Sequence, residues 1–152
     1  MSRKYTYAII AESVSVAVDF FEVTAAANKV LKVHSLVISQ SSDAGDSEDE
    51  QLPLVVHRGS GGSGGNSSVT PTKHDNGDAA IGGSAETLNT TQAAVSGELL
   101  ADSFNVRAGY QYFWPPEDMP VIPGGGSVVV RLGSAPADAL TMSASLTVEE
   151  IG

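Results

Sequence analysis

The segment that constrains this chain most lies near its end. Leu140, Met142, Ala144, Leu146 and Val148 fall on one side of an extended chain, and Thr141, Ser143, Ser145, Thr147 and Glu149 on the other. Strict alternation over residues 140–149 matches the two-residue repeat of a β-strand and no helical period. One face of that strand must be buried, and the other, rich in hydroxyls, must meet water or a polar neighbour. Val14, Val16, Val18 and Phe20 alternate in the same way with Ser13, Ser15, Ala17 and Asp19. They predict a second strand of this kind, with all four apolar side chains in the core.

Shorter β-rich runs fill the rest. Residues 5–10, 54–57, 79–88, 93–100, 104–107, 110–114 and 128–132 each read as strands, and 30–40 as a long one. In that long strand the alternation changes phase near residues 34–36, which predicts a β-bulge. Helix signals are nearly absent. Residues 25–29 read as a turn, and 135–139 offer at most one helical turn opened by Pro136. Many short strands separated by Gly, Pro and Asn predict an all-β sandwich or barrel. About eight to ten strands with little helix fit a jelly-roll-like arrangement, formed as a single domain over residues 1–152.

Four connections stand out. Residues 41–51 read SSDAGDSEDEQ and hold five of the eighteen acids with no base. Residues 59–68 read GSGGSGGNSS, a flexible linker by composition. Residues 74–78 read HDNGD, in which Asn76-Gly77 signals a tight turn. Residues 114–126 are rich in proline and end in Gly124-Gly125-Gly126, a turn leading into the strand at Val128.

The chemistry available is narrow. With no cysteine there is no disulfide, thiolate metal site or thiol nucleophile. His34, His57 and His74 are the only histidines; His34 and His57 would have to meet across a sheet to hold a metal, and ordinary strand positions explain them better. No GxSxG elbow occurs, and the glycine run at 59–65 lacks the lysine and following helix of a phosphate loop. These absences predict a protein that is not an enzyme and holds no cofactor or metal. A net charge of −10 repels phosphate and argues against nucleic acid and anionic membranes as partners. The N-terminus carries no signal-peptide pattern and no stretch is long and apolar enough to span a bilayer, so synthesis in the cytoplasm and a soluble product are expected.

What remains is surface. Asp43, Asp46, Glu48, Asp49 and Glu50 lack the spacing of an EF-hand; they read as solvated charge, or as a contact with Lys and Arg of another chain. Tyr110, Tyr112 and Trp114 share one strand face, either as a core cluster or as a ridge that anchors an interface or stacks on sugars. The Ser/Thr face of the last strand is a third candidate contact, and it points to a homotrimer joined partly through polar strand faces.

Three stretches, SLVISQSSDAGDSEDEQLPLVVHRGSGGSGG (35–65), TPTKHDNGDAA (70–80) and VIPGGGSVVVRLGSAPADALTMSASLTVEEIG (121–152), resemble a family of small proteins from tailed bacteriophages and prophages. In size and composition the chain is also similar to head decoration (cement) proteins, which are small, acidic, cysteine-free and β-rich. The resemblance implies a homotrimer on the capsid exterior that clamps neighbouring major capsid protein subunits, and it assigns no residue roles. A carbohydrate- or receptor-binding module of a tail or fibre, using the aromatic ridge, is the alternative.

Overall fold

The computed structural model describes residues 1–42 and 50–152. In chain order the strands are β1 (Ser2–Val14), β2 (Asp19–Thr24), β3 (Val30–Gln40), β4 (Gln51–Ser60), β5 (Thr72–Lys73), β6 (Ser84–Asn89), β7 (Ala94–Asn105), β8 (Tyr110–Phe113), β9 (Val121–Ile122), β10 (Ser127–Leu132) and β11 (Leu140–Ile151). They form two antiparallel sheets. Sheet A runs β5-β1-β11-β3-β8, with β9 also paired to β3, and sheet B runs β6-β2-β10-β4-β7. The sheets pack face to face as a sandwich and do not close into a barrel. Eleven strands exceed the expected eight to ten because β5 and β9 are two-residue pieces. No helix occurs among the described residues, so the turn opened by Pro136 is irregular rather than helical.

The alternation of β11 has a direct physical outcome. Leu140, Met142, Ala144, Leu146 and Val148 are all buried against sheet B. β11 lies between β1 and β3, so its apolar face is flanked by Tyr5, Tyr7 and Ile9 on one side and by Leu31, Val33, Leu36 and Ile38 on the other. The predicted bulge in β3 is present: Ser35 pairs with Thr147 and Val33 with Val148, leaving His34 as the extra residue. Turns also form where expected, with Asp78 N–H donating to Asp75 O at Asn76-Gly77, and Gly126 N–H to Pro123 O.

The strand expected over residues 14–20 is corrected. Val14 closes β1 in sheet A and Asp19 opens β2 in sheet B, so the chain crosses between sheets within that run. Val14, Val18 and Phe20 are buried, but Val16 is 46% exposed at the crossing. A crossover that enters and leaves the core mimics period two, because both flanking valines still point inward. Residues 93–100 and 104–107 likewise merge into the single long β7.

The Gly/Ser run is no linker. β4 extends to Ser60; beyond it, Ser63 bridges to Thr91 and Asn66 to Thr87. A Cβ on Gly62 would lie 2.6 Å from Glu22 Oε2, and one on Gly65 would lie 2.2 Å from Thr87 O. At Gly65 neighbouring backbone leaves no room for a side chain, and at Gly62 the Glu22 and Asn89 side chains fill that space.

Candidate functional site

The outer faces of the two sheets are finished in opposite ways. On sheet B, the cross-strand row Glu86, Glu22, Val129, His57 carries two carboxylates and an imidazole. Glu22, Val129 and His57 are nevertheless buried, because loop segments lie against this face. Buried polar side chains hold those loops. The Glu22 carboxylate accepts the Gly61 and Gly62 N–H groups at 3.0 and 2.9 Å. Asp19 Oδ1 accepts Arg131 Nε–H at 2.9 Å, and Asp19 Oδ2 accepts the Ala93 N–H at 2.6 Å. Arg131 also donates to Ala93 O. Replacing Glu22 by alanine is expected to cost about 1–3 kcal/mol, since two amides lose a charged acceptor. Urea unfolding would measure the loss, and faster amide exchange at Gly61 and Gly62 would locate it.

The outer face of sheet A has no such cover among the described residues. Thr6, Thr147, Ser35 and Phe113 lie side by side across four strands. Ala8, Ser145, Val37 and Gln111 form the next row. Ser143 with Ser39, and Ser13 with Thr141, continue it toward the far end. None of these side chains is charged. At the margin, Phe113 is 66% exposed and Ile10, beside the bulge of β1, is 77% exposed. Among the described residues charge returns at the row Lys4, Glu149, Lys32, where His34 Nε2 lies 2.7 Å from Glu149 Oε2. Burial pushes the Glu149 carboxyl up, but hydrogen bonds from His34 and Ser2 outweigh it and leave the group below its ordinary value.

The sequence candidates are distributed unevenly over this frame. Asp43, Asp46, Glu48 and Asp49 lie outside the described residues. Glu50 is turned inward on its own chain: both carboxylate oxygens accept the Ala137 N–H, at 3.1 and 3.0 Å. Tyr110, Tyr112 and Trp114 do share a face, and it is the inner one. Tyr110 and Tyr112 stack with ring centroids 6.5 Å apart, and Tyr112 meets Trp114 edge-on at 4.8 Å. Tyr110 and Trp114 are buried, and Tyr112 is only half-exposed. The Tyr110 O–H donates to Asp102 at 3.1 Å; burial, followed by that carboxylate, pushes its phenol up to about 12. The cluster is core, so no open ring face is presented for sugar stacking. The exposed aromatic of the strand is its neighbour Phe113.

The three histidines stay apart. His34 is on sheet A and His57 on sheet B, where its Nδ1–H donates to Arg58 O; His74 Nε2 meets Thr6 Oγ1 at 2.8 Å. Among the described residues no three His, Asp or Glu side chains converge as a metal cage would require.

Sequence reasoning missed the buried Asp19, Glu22 and Glu150, and the partly buried Arg131. Glu150 was legible, since it continues the even-numbered core face of β11; its Oε2 accepts the Gly82 N–H at 2.8 Å and pins a loop.

The bases are also sorted along the strands. One end, where β3 stops at Gln40 and β4 starts at Gln51, carries Glu12, Asp19, Glu50, Asp102 and Asp138. Ser42 and Glu50, the described residues flanking 43–49, both lie there. Of the bases, Arg107 and Arg131 lie toward this end, and Arg131 is bound to Asp19. Arg3, Lys4, Lys29, Lys32, Arg58 and Lys73 lie toward the other, where Asp75, Asp78, Glu117, Asp118, Glu149 and Glu150 balance them. No family model, curated protein or solved structure matches the chain.

Proposed function

We propose that this protein is a non-enzymatic bacteriophage virion protein, a capsid decoration (cement) protein. It binds the outer surface of the major capsid protein shell as a homotrimer and stabilises that shell. It is made in the host cytoplasm and resides on the capsid exterior. The observation that carries the reading is the uneven placement of the bases. A rigid sandwich whose bases gather at one end, leaving the other net acidic, has a built-in docking polarity, and the acidic end fits a basic protein surface rather than nucleic acid or lipid phosphate. The strand order supports the jelly-roll form of this reading: β1-β11-β3-β8 faces β2-β10-β4-β7, with successive long strands alternating largely between the two sheets.

Binding to purified particles tests it. Raising salt from about 0.15 M to about 1 M shortens the screening length from about 8 Å to about 3 Å, so attachment should weaken. Asp46→Asn with Glu48→Gln should weaken it further while leaving the melting temperature unchanged. Binding indifferent to both salt and the double substitution would remove the acidic end from the contact. Hundreds of copies per particle are expected in a quantitative gel; a handful would place the protein in a tail.

A further inference from the structure

We propose that the cleft around Arg58 binds a small oxyanion, a carboxylate or a phosphoryl group, through the guanidinium. Arg58 lies seven residues beyond Gln51, where β4 starts, roughly 23 Å at ordinary strand spacing. The cleft is therefore at the opposite end of the sandwich from Glu50, and it goes beyond the attachment proposed above.

The register places the cation. Val56 and Arg58 pair with Val130 and Val128 of β10, so Arg58 continues the inward-facing row of β4. At the mouth between the sheets its Nη2–H donates to Val121 O of β9, which belongs to the other sheet, at 2.9 Å. That bond fixes the guanidinium and uses one donor of a fork that carries several. Arg3 faces Asp78 at 3.8 Å and Arg131 faces Asp19 at 2.9 Å. Arg58 is half-buried and pairs with no carboxylate among the described residues. A cation drawn partly out of water without a counter-charge is costly, and a bound anion offsets that cost.

The cleft supplies the rest. It encloses about 270 Å³, lined by Arg58, Ser60, Ser96, Ser127 and the turn glycines Gly125 and Gly126. The ~150 Å³ cavity that holds benzene is smaller, so a phosphate or a short carboxylic acid has room. The Ser60 and Ser96 hydroxyls are exposed, with no side-chain partner among the described residues, and can donate to an anion. Gly125 has φ +76°, and a Cβ there would meet no atom within 4 Å, so the rim is open. A guanidinium matches the paired oxygens of carboxylate and phosphate alike. The net charge of −10 repels anions at long range, so affinity must come from these contacts rather than from steering.

Amide NMR shifts read the site during titration with sodium phosphate and, separately, sodium acetate, at ionic strength held near about 0.15 M with sodium chloride. Saturating shifts confined to Ser60, Ser96, Gly125, Gly126 and Ser127 are expected with at least one anion. The anion that saturates at lower concentration identifies the group. Arg58→Gln keeps a donor for Val121 O and should weaken binding about 10- to 100-fold, the loss of a charge-assisted hydrogen bond. Ser96→Glu leaves Arg58 in place, sets a carboxylate across the cleft and should abolish binding. Melts of both variants near wild type exclude misfolding as the cause. No shift with either anion, shifts that spread over Lys4, Lys32 and Lys73 without saturating, or shifts that survive both substitutions overturn the proposal.

Discussion

Replacing Asp19 by alanine is expected to cost about 3–5 kcal/mol, the usual penalty for removing one partner of a buried ion pair. Asp19 is fully buried, and its two oxygens are divided between the Arg131 guanidinium and the Ala93 N–H. Without it, a largely buried cation and a backbone amide both lose their acceptor. The loss is local in origin and general in effect. Asp19 opens β2, Arg131 sits on β10, and Ala93 precedes β7, so one carboxylate ties three parts of sheet B together. In a chain this size each kcal/mol shifts Tm by about 2–4 °C, so a fall of roughly 6–20 °C should appear by calorimetry. Asp19→Asn keeps the shape and one acceptor but loses the charge, and should fall between alanine and wild type. Asp19→Leu combined with Arg131→Met should recover much of the loss, because the pair is costly to desolvate and an apolar pair is not. A single Asp19→Ala variant that melts with the wild type would mean that the pair is open to water.

That carboxylate also marks the limit of what the sequence discloses. Read by alternation, Asp19 stood on the polar side of a strand over residues 14–20. Alternation reports which side chains point inward, and Val14 and Val18 do so. It does not report that they point into the core from different sheets. The same blindness hid the role of the Gly/Ser run, whose composition matches a linker. Its order comes from Glu22 and from the absence of side chains at Gly62 and Gly65, both long-range facts. Strands whose pairing is fixed by their own pattern were legible: β3 with its bulge at His34, β10 and β11. The candidate contact surface was half legible. The Ser/Thr side of β11 was visible in residues 141–147, but its extension through Thr6, Ala8, Ser35 and Val37 required the pairing of β1 and β3 with β11. The aromatic cluster was correctly placed on one face, and only packing could decide that the face is internal.

Adjacent residues of β11 should give opposite results when each is replaced. Leu146 is fully buried at the centre of sheet A, opposite Tyr7 on β1 and Leu36 on β3. Leu146→Ala removes apolar contacts and leaves a cavity that the two flanking strands cannot close, so the expected cost is about 2–5 kcal/mol. Thr147 faces the other way, half-exposed, with Oγ1 at 3.0 Å from Thr6 Oγ1. Thr147→Ala loses that one hydroxyl pair and should cost under about 1 kcal/mol. Thermal melts should therefore separate the two variants by roughly 5–15 °C. Thr147→Glu should also melt near wild type. The contrast arises because the pleat sends successive side chains to opposite faces. Equal melting losses at 146 and 147 would show that the outer face of sheet A is packed against something in the folded chain.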